Sequence, residues 1–482
     1  MSDYKMLING ELVEAESGNS ILVVNPATEE EFATVAGGSS AEVDKAVAAA
    51  KNAFPVWSQT PIQQRADALR KVAAAIRAKV EDLAMLDCLN HGTPIMQARG
   101  MTMGEAANFE KAADDSKVLW SESVDLENGN LAYTHRQPIG IVAVITPWNV
   151  PLMIGTDKLA QALVTGNTCI LKPPSIDSAT SLVLGEILAE LSDMIPPGVV
   201  NIVIGPGEET GHAIAAHPDV RMIGFTGGTE AGKSIMRAAG VNVKRLNLEL
   251  GGKNPFIVME DADIDLTARM GVMAQANNTG QVCTSPGRYY IHEKVYDEFL
   301  EKYIAEAKKV IVGDPLDKAT QMGPVVSKVH RDSIEAHIRS ALDEGAKMEL
   351  GQLSPLPAPL DKGYYVKFAV LTGITPQMRV YREEIFGPVA CFIKYSDKDD
   401  VIAMANDNTY GLSGTIWTRD IAKGIKAAHR LQAGNVWINQ NSGIANRHLP
   451  SGGVKESGLG KDRGRNGLDV YCEVNAIYVN MP

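Results

Sequence analysis

The spacing of apolar positions changes character several times along the chain. Between residues 4 and 37 short alternating runs dominate: Met6–Ile8, Glu11–Val13 and residues 21–24, with Asn9-Gly10 and Asn25-Pro26 as turns. Asn-Gly between two apolar runs predicts a tight hairpin. A helical period takes over next. One helix is expected from Ser39 or Ser40, with Glu42 placed three residues after Ser39 to complete a capping box. A second is expected with Thr60 as N-cap, Pro61 at its first position and Gln63 at its third, running to about Leu89 and stopping at Gly92. Further helix is expected over 95–121. Residues 122–139 alternate again around Asn128-Gly129, which predicts a second hairpin. It interrupts two α/β stretches, so it should project from the body. A lone two-stranded ribbon is marginal and docks on something, which makes it a candidate subunit contact.

From Ile141 onward, near-continuous apolar runs (Ile141–Ile145, then 168–171, 199–204, 222–225 and 246–250) alternate with helical segments (156–164, 179–191, 209–216 and 231–239). Strands apolar on both faces and separated by helices predict a doubly wound parallel α/β sheet, with ligands at the carboxyl ends of its strands. After Gly251 a second α/β unit is expected. Its strands fall at 256–258, 288–291, 390–394, Ser413–Trp417 and Asn435–Ile438, and its helices at 263–277, 295–310, 329–344, 398–406 and 421–431. Residues 351–363 read as a surface loop. The tail 469–482 alternates like a strand able to pair with another edge.

Composition narrows the class. With 482 residues, 45% hydrophobic and 22% charged, the chain reads as a globular protein of about two to four domains. A formal net charge of -12 argues against nucleic acid or an anionic membrane as main partner. Cys88, Cys169, Cys283, Cys391 and Cys472 are scattered, with no CxxC pair. Neither a disulfide framework nor a structural metal site is expected, and a reducing cytoplasm is the simplest compartment. The opening stretch MSDYKMLINGELVEAESG lacks the apolar core of a signal peptide, and no window has the apolar length of a membrane span.

Chemistry enters at the expected strand ends. Asn277-Asn278-Thr279-Gly280-Gln281-Val282-Cys283-Thr284-Ser285 sets one thiol among small, hydrogen-bonding neighbours. A thiolate attacks carbonyl carbon, so Cys283 is a candidate covalent nucleophile; a cysteine taken alone is more often a buried, inert residue. Thr146-Pro147-Trp148-Asn149 follows the first strand, where the Asn149 amide suits either an oxyanion or a turn. Lys172-Pro173-Pro174-Ser175 suits a ribose or phosphate, or is a solvated lysine at a loop. Gly205-Pro206-Gly207 through Gly211 is GxGxxxG, one residue longer than the dinucleotide signature. Phe225-Thr226-Gly227-Gly228 opens a helix, which favours an anion. Gly227 to Ser234 also fits the phosphate loop of nucleoside triphosphatases, although the only stand-in for a magnesium-binding strand end is Glu260-Asp261. Glu249, at a strand end before Leu250-Gly251, could serve as a general base. Glu384 and Phe386 stand at an apolar turn, an acid for ribose hydroxyls and a ring for packing; a capping Glu and a core Phe are the plainer readings.

Taken in order, TPWN, LKPP, FTGGTEAGK, LELGGK, GQVC, EEIFGPV and LPSGGVKESGLGKDRG cover nearly the whole chain and resemble the aldehyde dehydrogenase superfamily. The resemblance implies NAD(P)-dependent oxidation of an aldehyde to a carboxylic acid. It implies a Rossmann-like cofactor domain (1–121 and 140–250), a catalytic domain (251–466) and a small β oligomerisation element (122–139 with 467–482), assembled as a homodimer or homotetramer. Roles follow by position. Cys283 attacks the aldehyde to give a thiohemiacetal, whose oxyanion is held by Asn149 and the Cys283 N–H. Glu249 activates water against the thioester, and Lys158 and Asp462 match a pair that relays its protons. Thr146, Pro147, Trp148, Lys172, Pro174, Ser175, Gly205, Gly207, Phe225, Thr226, Gly227, Gly228, Leu250, Gly251, Glu384 and Phe386 fall where NAD or NADP is held, Lys172 toward the adenine-side ribose and Glu384 toward the nicotinamide ribose. An acid at 249 favours a free carboxylic acid over a CoA thioester.

Three departures from the family pattern matter. Ser175 stands where NAD-preferring members often have Glu; a carboxylate bonds the ribose 2′-hydroxyl but repels a 2′-phosphate, so NADP is expected to be accepted. Gly228 replaces a common Ser, leaving backbone donors for the pyrophosphate. Asp157 stands where many members place an aromatic in the substrate tunnel. Val150, Met153, Val282, Thr284, Ala445 and Ser451 are expected to line that tunnel too, making it wide and polar. Arg447 and His448 could hold a substrate carboxylate, which would suggest a semialdehyde, or be surface charges; Asp157 could favour a hydroxyl or amine. The remaining reading is a catalytically idle relative, against which Cys283, Glu249 and Asn149 all argue.

Overall fold

The computed structural model describes residues 2–126, 130–441 and 448–480. Two large sheets carry the fold among these residues. The first runs Gly458–Leu459, Arg245–Glu249, Val220–Thr226, Ile141–Ile145, Thr168–Lys172, Val200–Ile202, Met6–Ile8, Glu11–Val13. Its five central strands are parallel; Gly458–Leu459 at one edge and the N-terminal hairpin at the other are antiparallel. Ile141–Ile145 and Thr168–Lys172 are buried at every position, because helices cover both faces. That is why their sequence is apolar without alternation. Strand order reverses at Ile141–Ile145. The chain steps outward through Thr168–Lys172 and Val200–Ile202, then returns to lay Val220–Thr226 on the other side. Loops leaving the carboxyl ends of these two strands diverge and open a crevice, and Thr146–Asn149 and Gly227-Gly228 lead away from it.

The second sheet runs Lys347–Leu350, Ala369–Thr372, Val389–Tyr395, Pro286–His292, Asn254–Val258, Ser413–Trp417, Asn435–Ile438, parallel apart from the edge strand Lys347–Leu350. Alternate residues feed two cores: Ile257, Tyr290, Ile393 and Ile416 on one face, Phe256, Tyr289, Phe392 and Trp417 on the other. The first sheet has one continuous core, to which Leu468 and Tyr471 also belong. Ser2–Tyr4, Glu31–Ala36 and Ser20–Val24 make a small side sheet. The ribbon of Ser123–Asp125 and Leu131–Pro138 does find a partner: Cys472–Val479 pairs with Leu131–Pro138 along its whole length. The Asn128-Gly129 turn lies outside the described residues.

Several local expectations differ from what forms. Ser39 caps Ser40–Gln59 with Glu42 reaching back to its N–H at 2.7 Å, but Thr60 is the C-cap of that helix and not the N-cap of the next. Its hydroxyl donates to Val56 O at 3.0 Å, and Ile62–Ala78 begins behind Pro61 without a side-chain cap. The expected long helix is two, because Lys79 leaves helical geometry (φ -104, ψ 20) before Val80–Asn90 starts. Lys347–Leu350 and Ala369–Thr372 were not anticipated; four residues are too few to show a period. The 351–363 segment lacks regular structure, yet Leu356 and Leu360 bury against Tyr365. No described helix is long and apolar enough to cross a membrane.

Candidate active site

The thiol sits on a clamped loop. After the helix Ile264–Ala276 the chain turns through three left-handed residues, Asn278 (φ 47), Thr279 (φ 55) and Gly280 (φ 74). Two of these are not glycine, so the turn is strained unless outside contacts hold it. Those contacts exist. Thr279 Oγ1 donates to Gly323 O at 3.1 Å. Asn278 Nδ2 donates to Asn149 O at 3.0 Å. Gly280 packs so closely on Gly387 that a Cβ would collide with its carbonyl. Cys283, half-buried and free, has its carbonyl held by Asn254 Nδ2 at 2.7 Å. Asn149, buried at the end of Ile141–Ile145's loop, donates one amide N–H to Gln281 O at 2.8 Å and keeps a second. Burial, then the charges of Glu384 and Glu249, push the thiol up to about 12; Arg463 works against them.

Glu249 ends the strand Arg245–Glu249. Burial, followed by the Asp462 charge, raises its carboxyl to about 8, with Lys158 opposing. Oε1 has no hydrogen-bond partner, and a side chain at Gly452 (φ 146) would collide with it. Lys158, fully buried, holds Asp462 Oδ2 at 2.7 Å. Asn247, two residues before Glu249 and therefore on its face of the strand, donates to Asp462 Oδ1 at 2.6 Å. The pair expected from sequence thus forms, and it adjoins the candidate base.

The residues expected to face the cofactor gather along the crevice. The helix Thr229–Ala239 opens at Gly228 without a side-chain cap, and Gly228 has open space where a Cβ would stand. The Thr146 and Thr226 hydroxyls are buried and unpartnered. Gly227 N donates to Glu249 O at 3.0 Å, and Phe225 packs over Gly227, Leu250 over Gly232. Lys172 is buried and its Nζ donates only to its neighbour Pro173 O, at 3.1 Å; burial draws the amine down to about 8. Half-buried Pro174 leads to Ser175, whose Oγ donates to Gly205 O at 3.0 Å. Gly205 is packed on Gly38, whereas Gly207 is open. Glu384 accepts from Gly252 N at 3.0 Å, its other oxygen lies against Gly251, and burial raises its carboxyl to about 7. Phe386 (φ 58) meets Trp148, next to Pro147, edge-on at 5.2 Å. Val282 shares a small cavity with Glu384 and Phe386. Uncapped helix N–H groups suit a phosphate, and orphaned hydroxyls, a desolvated amine and a buried carboxylate suit sugar hydroxyls. Together they fit a dinucleotide.

The substrate side holds a surprise in its charges. Asp157 is buried and its Oδ2 is engaged by Arg463 Nε at 2.6 Å. Its carboxylate is therefore neutralised rather than offered to an amine. Arg463 itself has a left-handed backbone (φ 68) and an N–H held by Gln161 Oε1 at 3.0 Å. Val150 and Met153 are half-buried at the start of the helix Pro151–Val164, Thr284 is half-buried beside Cys283, and Ser451 pairs through its backbone with Asp462. Ala445 and Arg447 lie outside the described residues. His448 contacts Asp115 at 3.1 Å. Sequence reasoning missed Arg463, His91, Asp177 and the role of Asn278. Arg463 had one available signal, its place directly after Asp462; the others had none.

The phosphate-loop reading of Gly227 to Ser234 fails on its second half. Glu260 pairs with Lys423 at 2.7 Å, and Asp261 accepts from Thr418, Arg419 and Asp420, both on the other sheet.

Comparison with known proteins agrees with this geometry. The model of the aldehyde dehydrogenase family matches residues 12–477. A betaine aldehyde dehydrogenase of Bacillus subtilis is 37% identical over 483 residues, covering 98% of this chain and 97% of the relative. The structure of an NAD-dependent aldehyde dehydrogenase from Sinorhizobium meliloti matches with a TM-score of 0.96 at 36% identity, covering 99% of this chain and 95% of that one. That of an NADP dependent enzyme of E. coli matches with a TM-score of 0.96 at 33% identity, covering 100% and 98%. By sequence, fold and full-length likeness, the chain belongs to the aldehyde dehydrogenase family.

Proposed function

We propose that the chain oxidises an aldehyde to the free carboxylic acid through covalent catalysis at Cys283, with residues 1–121 and 140–250 binding the cofactor, 251–466 supplying the thiol, and the ribbon with its paired tail joining subunits into a dimer or tetramer. The observation that carries the reading is the convergence of a free thiol, an amide donor and a half-buried carboxylate whose charge reaches the thiol and whose Oε1 is unpartnered among the described residues. At rest the thiol is protonated. Its proton passes to Glu249, about a tenth of which is ionised near neutral pH given a value of about 8. That transfer also removes a negative charge that opposes the thiolate. Sulfur bonds to the aldehyde carbon, and the carbonyl oxygen becomes an oxyanion held by the Asn149 amide and the Cys283 N–H. A bound oxidised nicotinamide would supply the acceptor for the hydride that leaves this carbon. The carbonyl re-forms as a thioester on Cys283. Glu249, relieved of its proton through Lys158 and Asp462, then deprotonates a water that attacks the thioester. The C–S bond breaks, the acid leaves, and the thiol is restored.

For the cofactor, Lys172 and Ser175 would hold the adenine-side ribose, the Gly227-Gly228 turn the pyrophosphate, and Glu384 the nicotinamide ribose. No acid stands at 175 to repel a 2′-phosphate, so both NAD and NADP are accepted. Relatives named for betaine aldehyde raise the question of a trimethylammonium substrate. Arg463 opposes it: its charge reaches the thiol, and among the described residues only the Nε of its guanidinium is paired, with Asp157 Oδ2. Neutral or anionic aldehydes of equal size should show the higher kcat/KM, and Arg463→Leu should narrow the gap. A wild-type preference for the cationic aldehyde would refute this.

The direct test is reduced-cofactor absorbance with NAD or NADP and an aldehyde panel, in wild type and Cys283→Ser. Turnover in wild type alone is expected. Turnover in both, or in neither, would overturn the reading.

A further inference from the structure

Behind the thiol loop lies a sealed polar cluster that the chemistry above leaves unused. His91, Asp177, Asp87, Asn90, Thr93 and Asn278 are all buried. They come from three places. His91 follows the helix Val80–Asn90, Asp177 sits on the loop that leaves Lys172 and carries Ser175, and Asn278 is the first left-handed residue of the thiol loop. The imidazole spans the gap. Its Nδ1 lies 3.4 Å from Asp177 Oδ2, an ion-pair contact rather than an aligned hydrogen bond, and neither atom has a hydrogen-bond partner. Its Nε2 lies 3.0 Å from Asn278 Oδ1. Burial lowers the proton affinity of the ring, but Asp177 and Asp87 outweigh it and hold the ring above its ordinary value. Asn90 Nδ2 donates to Asp177 Oδ1 and fixes that carboxylate.

The consequence reaches Asn149 in one step. An asparagine amide has two orientations of nearly equal shape. With Oδ1 toward His91, Asn278 Nδ2 faces Asn149 O at 3.0 Å and Gln281 O at 3.3 Å. Turned over, Oδ1 would face two carbonyl oxygens, acceptor against acceptor. An amide oxygen accepts only, so Nε2 must carry a proton and donate. Thr93 Oγ1 adds a longer donor contact to the same oxygen, at 3.5 Å. The two carbonyls set this orientation, and the His91 N–H holds the amide in it from the other end, which ties Asn149 to the thiol loop.

We infer that His91 is a positioning residue for aldehyde oxidation: it locks the Asn278 amide so that Asn149 and the Cys283 loop are held together, and through Asp177 it couples them to the loop that faces the cofactor. This rests on the oxyanion role of Asn149 proposed above.

A double-mutant cycle on the full enzyme, read as kcat and KM at saturating NADP with one aldehyde, tests it. Asn149→Ala should lose about 10²–10³ in kcat. His91→Leu should lose about tenfold or more in kcat, with aldehyde KM little changed, and the double variant should be no slower than Asn149→Ala alone. His91→Gln, which keeps an N–H donor of similar reach, should recover most of the loss. Asn278→Asp keeps an acceptor for His91 but cannot donate to Asn149 O, so it should match His91→Leu; it serves if His91→Leu does not fold. Losses that multiply in the double variant, or a fully active Asn278→Asp, would overturn the role of His91. Full activity in Asn149→Ala would instead remove the oxyanion reading itself.

Discussion

In the proposed mechanism neither Cys283 nor Glu249 rests in its reactive form. Cys283 is a protonated thiol pushed up to about 12, and Glu249 a largely protonated acid at about 8. Both shifts come first from burial, which penalises charge. A base acts only when deprotonated, so a raised value moves its working range upward: wherever deacylation limits turnover, kcat should climb with pH through about 8 and level off above it. Glu249→Gln should flatten that rise as well as slow the enzyme. A kcat that falls across the same range would contradict the assignment. At this scale the sequence was legible only in combination. Cys283 and Asn149 each had a plainer explanation, and only the ordered motifs favoured the catalytic one. Arg463 and His91 escaped because their meaning lies in partners far along the chain, Asp157 and Asp177, which no spacing rule connects.

At the scale of elements, buried parallel strands were the easiest to read, since covering both faces forces a continuous apolar run, as in Thr168–Lys172. Short pieces were not: Ala369–Thr372 is stabilised by its neighbours in the sheet, not by a local pattern. Helix boundaries split the same way. The Ser39–Glu42 box is a local hydrogen-bond exchange and was visible, whereas Thr60 carried a cap signal that the preceding helix captured. Chemical denaturation can separate the two. Ser39→Ala should destabilise the protein by about 1 kcal/mol, and Thr60→Ala by clearly less. The reverse order would mean that Thr60 does cap.

The whole molecule places the proposed site between two mostly parallel sheets, with a strand from the C-terminal region, Gly458–Leu459, completing the first sheet beside the strand that ends in Glu249. The tail Cys472–Val479 returns to the ribbon, an alternation that was readable although its partner strand was not specified. Cofactor choice belongs to this scale, because Ser175, proposed to hold the adenine-side ribose, lies far along the chain from Cys283. Ser175→Glu should move the kcat/KM ratio toward NAD by about tenfold or more, through repulsion of the 2′-phosphate; an unchanged ratio would place the discrimination elsewhere. The account stands most directly on acylation of one cysteine. Glu249→Gln enzyme, incubated with aldehyde and oxidised cofactor at alkaline pH, where the thiol ionises without Glu249, should accumulate an adduct of the aldehyde mass less a hydride and a proton, on the peptide carrying Cys283 and only when cofactor is present. Steady acid formation with no adduct, or an adduct on any other cysteine, would contradict it.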